Sequence, residues 1–258
     1  MEDGRSAMPE LKRKGITIGS GMPVVCVPVT AKDHDGIIAQ IQELCAQGVS
    51  MIEWRADRFE QLADEEALKA VLAEIAPLVK DTVLLFTIRS KEQGGESSLA
   101  EKKLLYYQEL AAKSGCVDLV DIEILALSKP EKAIRRLHAA GAAVIASHHD
   151  FSRTPQSGLL KQLLRQMHLL GADIGKIAVM PQDAADTARI LALGAGMKKE
   201  LPDFPLILIG MGKEGVITRI AGETFGSCIT FGAGKQASAP GQIEAGRLGE
   251  ILQTLHEG

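Results

Sequence analysis

A lysine interrupts an otherwise apolar run in DIGKIAVMP, residues 173–181. Ile174, Ile177, Ala178 and Val179 suit a strand buried on both faces, and Lys176 does not. An ammonium in such a place must be paired, shifted in pKa or chemically employed. In a dry pocket near other cations the charged form is disfavoured, and the neutral amine becomes a nucleophile toward carbonyls. The product is a Schiff base, whose protonated form acidifies the adjacent C–H bond. A nearby histidine can take that proton at neutral pH, and SHHD supplies His148 and His149. Arg55, Arg89 and Arg219 predict an anionic substrate, because guanidinium pairs bidentately with carboxylate or phosphate. Together these residues predict an imine-forming lyase or aldolase.

The elements that must position them recur along the chain. Short apolar runs occur at VVCVPV, MIEWRAD, VLLFTIRS, VDLVDIE, AVIASHHD, IGKIAVMP, LILIGM and SCITFG. Most are separated by amphipathic stretches of helical length. Their spacing, roughly 30 residues, suits one strand plus one crossover helix. Eight such units predict an α/β fold, a (β/α)8 barrel. An open doubly wound sheet is the alternative, but no GxGxxG follows the first strand, so its dinucleotide-binding form lacks the fingerprint.

ITIGSGMPV, residues 16–24, predicts a short hairpin before the barrel. Residues 1–14 are expected to be a loose polar segment, with 15–258 forming one catalytic barrel domain. Thr154-Pro155 reads as a helix start and Gly171 as its stop. Ser98 and Glu101 have capping-box spacing. The interval from Lys213 to Phe225 is too short for a full helix and predicts a brief helix and loop.

Strand side chains alternate in direction. Glu53 and Arg55 therefore share a face, as do Thr87 and Arg89, Asp121 and Glu123, Ser147 and His149, and Lys176 and Ala178. One rule fits all five strands: the apolar faces pack under helices and the polar faces look into a lumen. Four of the polar pairs fall near C-terminal strand ends, where barrel active sites are built. Each pair alone has an ordinary structural reading as a satisfied ion pair or strand-end histidine. A lysine, a histidine, arginines and carboxylates converging on one lumen are costly to desolvate together, which favours a site.

The bulk properties narrow the function. The 258 residues carry 29 basic and 33 acidic side chains, a net charge of −4 with no long run of one sign, which argues against a nucleic-acid partner. No apolar run approaches membrane-span length, and the first residues lack a secretory signal pattern. Cys26, Cys45, Cys116 and Cys228 show no CxxC and suit free thiols in a reducing cytoplasm. No metal cluster or nucleotide motif stands out, so no cofactor is expected.

The chain resembles the type I 3-dehydroquinate dehydratases, the Schiff-base-forming lyases of the shikimate pathway. The matching pieces are EWRAD (53–57), FTIRS (86–90), GGE (94–96), SHHDF (147–151), KIAVMP (176–181), GVITR (215–219), AGETFGS (221–227) and ASAPGQ (237–242). They run in order from the second strand to the last helix. The resemblance implies a (β/α)8 barrel, a homodimer and syn elimination of water from 3-dehydroquinate to give 3-dehydroshikimate. By motif, Lys176 would form the imine, and His149 would remove the C2 proton and protonate the departing hydroxyl. Arg219 would bind the substrate carboxylate, and Ser238 and Gln242 would close over the substrate. Glu53, Arg55 and Arg89 would bind its hydroxyls and order the site, and Met211 would supply an apolar wall.

Two positions depart from the family pattern. Gln93 stands directly before GGE, where a glutamate is expected to support the histidine, and Ile209 stands where methionine is expected. A neutral amide can orient an imidazole but cannot stabilise an imidazolium as a carboxylate does. The rival enzymatic reading is a class I aldolase using FGAGKQASAPG as a phosphate loop; Arg219 and ASAPGQ favour a carboxylate instead. A non-catalytic metabolite-binding barrel would need neither Lys176 nor a histidine.

Overall fold

The computed structural model describes residues 11–235 and 238–258. An antiparallel hairpin comes first, β1 (Leu11–Arg13) and β2 (Ile16–Ile18). The barrel follows as β3 (Val24–Val29), α1 (His34–Ala46), β4 (Met51–Arg55), α2 (Glu65–Ile75), β5 (Val83–Thr87), α3 (Glu101–Lys113), β6 (Leu119–Glu123) and α4 (Pro130–Ala139). It continues through β7 (Ala143–Asp150), α5 (Ser157–Leu169), β8 (Ile174–Val179), α6 (Ala184–Glu200), β9 (Leu206–Gly210), α7 (Ile217–Ile220), α8 (Gly222–Phe225), β10 (Ile229–Phe231) and α9 (Ala245–Glu257). Strands β3 to β10 form one parallel sheet in the order β10-β3-β4-β5-β6-β7-β8-β9. A single parallel bridge, Leu206 to Ser227, brings its two ends together, so the barrel is nearly closed and the doubly wound alternative is excluded.

Alternation sorts the strand residues as expected. Ile52, Trp54, Leu84, Phe86, Val120, Ile122, Ile177 and Val179 join the layer between sheet and helices. Met51, Leu85, Leu119, Ile145, Ile174, Ile207 and Ile229 fill the lumen below the polar residues. Ile18 of the hairpin is fully buried with this second group and plugs the N-terminal end. Lys14 fastens the hairpin to that end: its Nζ lies 2.7 Å from Asp118 and donates to Thr82 O at 3.0 Å. The polar layer therefore rests on an apolar floor.

Four local expectations are corrected. The hairpin lies earlier than ITIGSGMPV: Leu11–Arg13 pairs with Ile16–Ile18, and the turn is Lys14-Gly15, both at positive φ. The segment expected to be loose, 1–14, is thus ordered strand and turn from Leu11 onward, while residues 1–10 lie outside the described residues. Helix α5 starts at Ser157 rather than at Pro155, with Gln156 in the N-cap position; Thr154 is buried instead of capping. Ser98 and Glu101 form no capping box, because Glu101 Oε1 is taken by the backbone N–H and hydroxyl of Ser128 at 3.1 and 2.8 Å. The interval before β10 does hold brief helices, α7 and α8.

Candidate active site

All ten residues expected in the site line one cavity at the C-terminal end of the barrel: Lys176, His149, Glu53, Arg55, Arg89, Arg219, Ser238, Gln242, Gln93 and Met211. Its empty volume, open to solvent at the mouth, is about 530 Å3. Ala178, Ile209, Met211 and Phe231 supply apolar wall, so Ile209 does fill the position where methionine was expected. Larger surface grooves exist elsewhere, but the charged side chains that line them are not buried, whereas Glu53, Arg55, Arg89, Lys176 and Arg219 are.

Lys176 projects from the middle of β8, and its alkyl stem is buried. Its Nζ donates to Asp121 Oδ2 at 3.2 Å, lies 4.0 Å from Glu53 Oε1, and sits 4.4 Å from the centre of the Phe231 ring. Asp121 is shared: Arg89 Nη2 approaches its Oδ1 at 2.8 Å, and Ser147 Oγ donates to the same oxygen at 2.6 Å. Burial alone would raise the Asp121 pKa, yet Arg89 and Lys176 overcome it and hold the carboxyl at about 2.

His149 is the penultimate residue of β7 and lies beside a turn of 3-10 helix, Lys91–Gln93. One oxygen of Gln93, Oε1, accepts the His149 backbone N–H at 2.7 Å and faces Nδ1 at 3.1 Å. A backbone N–H can only donate, so the Gln93 atom is the carbonyl oxygen and Nδ1 must carry the ring proton. The lone pair of the neutral ring then lies on Nε2. Burial, followed by the charges of Arg89 and Lys176, pushes the His149 pKa well below its usual value, so the ring is a neutral base near pH 7. The neighbouring His148 lies on the other face of the strand and does not line the cavity, which separates two histidines that alternation alone left equivalent.

The loop that presents Gln93 is built around glycine. Gly94 has φ 81°, and a Cβ there would strike the Phe151 ring at 2.4 Å. A Cβ on Gly95 would sit 2.2 Å from Arg89 O. Glu96 donates its backbone N–H to Asp57 Oδ2 at 3.1 Å, tying this loop to the end of β4.

The three arginines differ. Arg55 is clamped bidentately by Asp57, with Nε and Nη2 each donating at 2.8 Å. Arg89 is held by Asp121, Glu123 and Ser147, and the two carboxylates outweigh burial and raise its pKa. Arg219 has no carboxylate within ion-pair distance among the described residues. It donates to the carbonyls of Phe231 at 3.3 Å and Pro240 at 3.0 Å, its Nε is buried without a partner, and burial lowers its pKa to about 10. A guanidinium buried without an anion is the feature that an anionic ligand would complete. The Pro240 contact also anchors the loop that carries Ser238 and Gln242, which hydrogen-bond each other there. Ala237, the first residue of ASAPGQ, lies outside the described residues.

Residue types and spacing did not point to Asp57 or Phe231. Asp57 follows β4 as the last residue of EWRAD, beyond the reach of strand alternation. Phe231 lies within the apolar run SCITFG, where nothing in residue type marks it, and the barrel's closure brings its ring to Lys176. Asp121 was placed on the lumen face, but its contact with Lys176 reaches across the intervening strand β7 and has no signature in sequence spacing.

Comparisons with known proteins agree with this geometry. A family model described as type I 3-dehydroquinase matches residues 25–258. A 3-dehydroquinate dehydratase of Bacillus licheniformis is 43% identical over 251 residues, covering 95% of this chain and 97% of that protein. One from Klebsiella pneumoniae is 43% identical over 246 residues, covering 94% and 97%. Among solved structures, the type I 3-dehydroquinate dehydratase of Clostridium difficile with covalent modified comenic acid superposes with a TM-score of 0.93 at 38% identity, covering 97% and 99%. The Geobacillus kaustophilus 3-dehydroquinate dehydratase gives a TM-score of 0.93 at 34% identity, covering 96% of each chain.

Proposed function

The chain belongs to the type I 3-dehydroquinase family and is a 3-dehydroquinate dehydratase, and from that premise we propose that Lys176 carries the reaction through a Schiff base with the substrate ketone. The observation that carries this reading is the position of Nζ, buried in the lumen at the floor of the cavity between Asp121, Glu53 and the Phe231 ring.

In this mechanism Arg219 pairs with the substrate carboxylate and orients the ring. Lys176 condenses with the ketone, and the protonated imine draws electrons from the adjacent C–H bond. Nε2 of His149, unprotonated because Nδ1 faces Gln93, removes the C2 proton, then returns it to the departing C1 hydroxyl. Glu53, Arg55 and Arg89 contact the hydroxyl groups, while Met211 walls the ring. Ser238 and Gln242 exchange their mutual hydrogen bonds for substrate as their loop closes. No cofactor enters. The covalent modified comenic acid in the Clostridium difficile relative is consistent with a covalent step at this kind of site.

The test is borohydride reduction in the presence of 3-dehydroquinate, followed by peptide mass analysis. The expected adduct lies on the Lys176 peptide, and Lys176→Ala abolishes both adduct and turnover. Adduct formation at another lysine, or turnover in the variant, would remove Lys176 from this role. In His149→Ala the imine remains trappable while turnover collapses. We further assign one catalytic domain beginning at the hairpin, a homodimer and a cytoplasmic setting. Sedimentation velocity tests the dimer. Among the described residues no helix is long and apolar enough to cross a membrane.

A further inference from the structure

Asp121 is the group in direct contact with the reacting nitrogen whose part in the chemistry is still open. Its carboxylate is almost completely buried. Oδ1 is occupied by Arg89 Nη2 and Ser147 Oγ, while Oδ2 meets Lys176 Nζ at 3.2 Å. Glu53, the other nearby carboxylate, stands farther off at 4.0 Å and its Oε1 already accepts the Thr87 hydroxyl at 2.9 Å.

We propose that Asp121 is a catalytic residue: it is the standing counter-ion of the Lys176 nitrogen and keeps the imine protonated through the cycle. This rests on the reading of Lys176 as the imine-forming residue.

The net condensation explains why one fixed anion suffices. An ammonium and a ketone give a protonated imine and one water: the C–N double bond replaces the C–O double bond, and two ammonium protons leave on the ketone oxygen. Charge at nitrogen is +1 before and after, so the anion that pairs with the ammonium also pairs with the imine N–H. When the C2 proton is removed, the electron pair flows onto nitrogen and gives a neutral enamine. Expulsion of the hydroxyl draws that pair back and restores the positive charge. During the neutral interval Arg89, on the opposite oxygen, keeps Asp121 balanced. A proton-accepting role is disfavoured, because a carboxyl held at about 2 does not take a proton near neutrality.

The other charged or titratable groups around this nitrogen are Glu53 from β4, Arg89 following β5, His149 from β7 and the Cys26 thiol from β3. Glu53 is the one other anion among them. Removing Asp121's charge therefore leaves the imine with one neighbouring anion, Glu53, at 4.0 Å from the Lys176 nitrogen, which already accepts the Thr87 hydroxyl.

Asp121→Asn isolates the effect. The amide oxygen can still accept from Arg89 and Ser147, while its NH2 replaces the oxygen that faces Lys176. The expected result is a kcat lower by about 100-fold, in the range for losing one preorganised electrostatic partner. The alkaline limb of the kcat profile moves down by about 1–3 pH units as the imine loses its proton more easily. KM changes little, and the variant keeps the parent circular-dichroism spectrum. In the unmodified enzyme, the fraction trapped by borohydride stays level from about pH 7 to about pH 9; this measurement stands even if the variant does not fold. A folded Asp121→Asn enzyme with an unmoved alkaline limb overturns the proposal alone, as does a trapped fraction in the unmodified enzyme that falls across that range. Absence of any Lys176 adduct in the unmodified enzyme overturns the imine reading and this proposal with it.

Discussion

Replacing Gln93 by glutamate should move the acid limb of activity toward neutral pH. Gln93 Oε1 lies 3.1 Å from His149 Nδ1 and is buried. Nearly isosteric glutamate keeps an oxygen there and adds a full negative charge. At an effective dielectric of about 20, a charge pair at this separation interacts by roughly 5 kcal/mol. The new carboxylate loses hydration and is partly engaged by the neighbouring guanidinium groups, which leaves a net rise of about 1–3 pKa units for His149, or about 1.4–4 kcal/mol. The sign follows from the base role. His149 works unprotonated, so raising its pKa protonates it at higher pH and activity falls off sooner on acidification. In the parent chain the ring pKa is already well below its usual value, which places the acid limb well below 6.5. The assay is the pH profile of kcat/KM for both enzymes, paired with an NMR titration of the labelled His149 ring. An acid limb that stays in place, or moves down, refutes the hydrogen-bond assignment between Gln93 and Nδ1 and the tautomer derived from it.

Three further outcomes follow from the same geometry. Arg219→Gln removes the one buried guanidinium without a carboxylate among the described residues and loosens the Pro240 anchor; kcat/KM should fall by about 100-fold or more, with KM rising, read by steady-state kinetics. Gly215→Ala places a Cβ 2.2 Å from the Gly210 carbonyl, which should cost about 1–3 kcal/mol in denaturant unfolding and displace the short helix that carries Arg219. Stability should decline in two separate acid windows. His149, depressed in the folded state, binds protons more readily when unfolded, so its destabilising contribution begins as pH falls through about 6.5. Asp121, depressed to about 2, contributes about 2 kcal/mol that is fully present above its unfolded value and lost as pH falls from about 4 toward 2. Urea titrations of Asp121→Asn and His149→Asn against the parent separate the two, each variant flattening its own window.

Alternation carried much of the site because a parallel barrel strand has only two faces. Once Ile52 and Trp54 belong under helices, Glu53 and Arg55 have nowhere to point but the lumen. The same logic placed Lys176 and His149, although it could not say which of the two adjacent histidines faced inward. Local signals failed where a distant partner competed for them. Glu101 had the spacing of a capping residue, but Ser128 captured its carboxylate. Thr154 offered a cap and was buried. The hairpin turn was misplaced because Lys14 takes a left-handed conformation that favours glycine, while the more obvious GSG lies beyond the pairing. Phe231 and Asp57 entered the site through closure of the barrel and folding of a loop, neither of which is written in spacing.

The hairpin that seats Ile18 beneath the lumen has a consequence for traffic. With its far end stoppered by side chains, the barrel is a cup and not a conduit. The dehydroquinate that enters, the dehydroshikimate that leaves and the water split from it all share one doorway, and the segment bearing Ser238 and Gln242 hangs across it. Among the described residues water has no private drain, so clearing the vessel and refilling it are successive events at the same threshold.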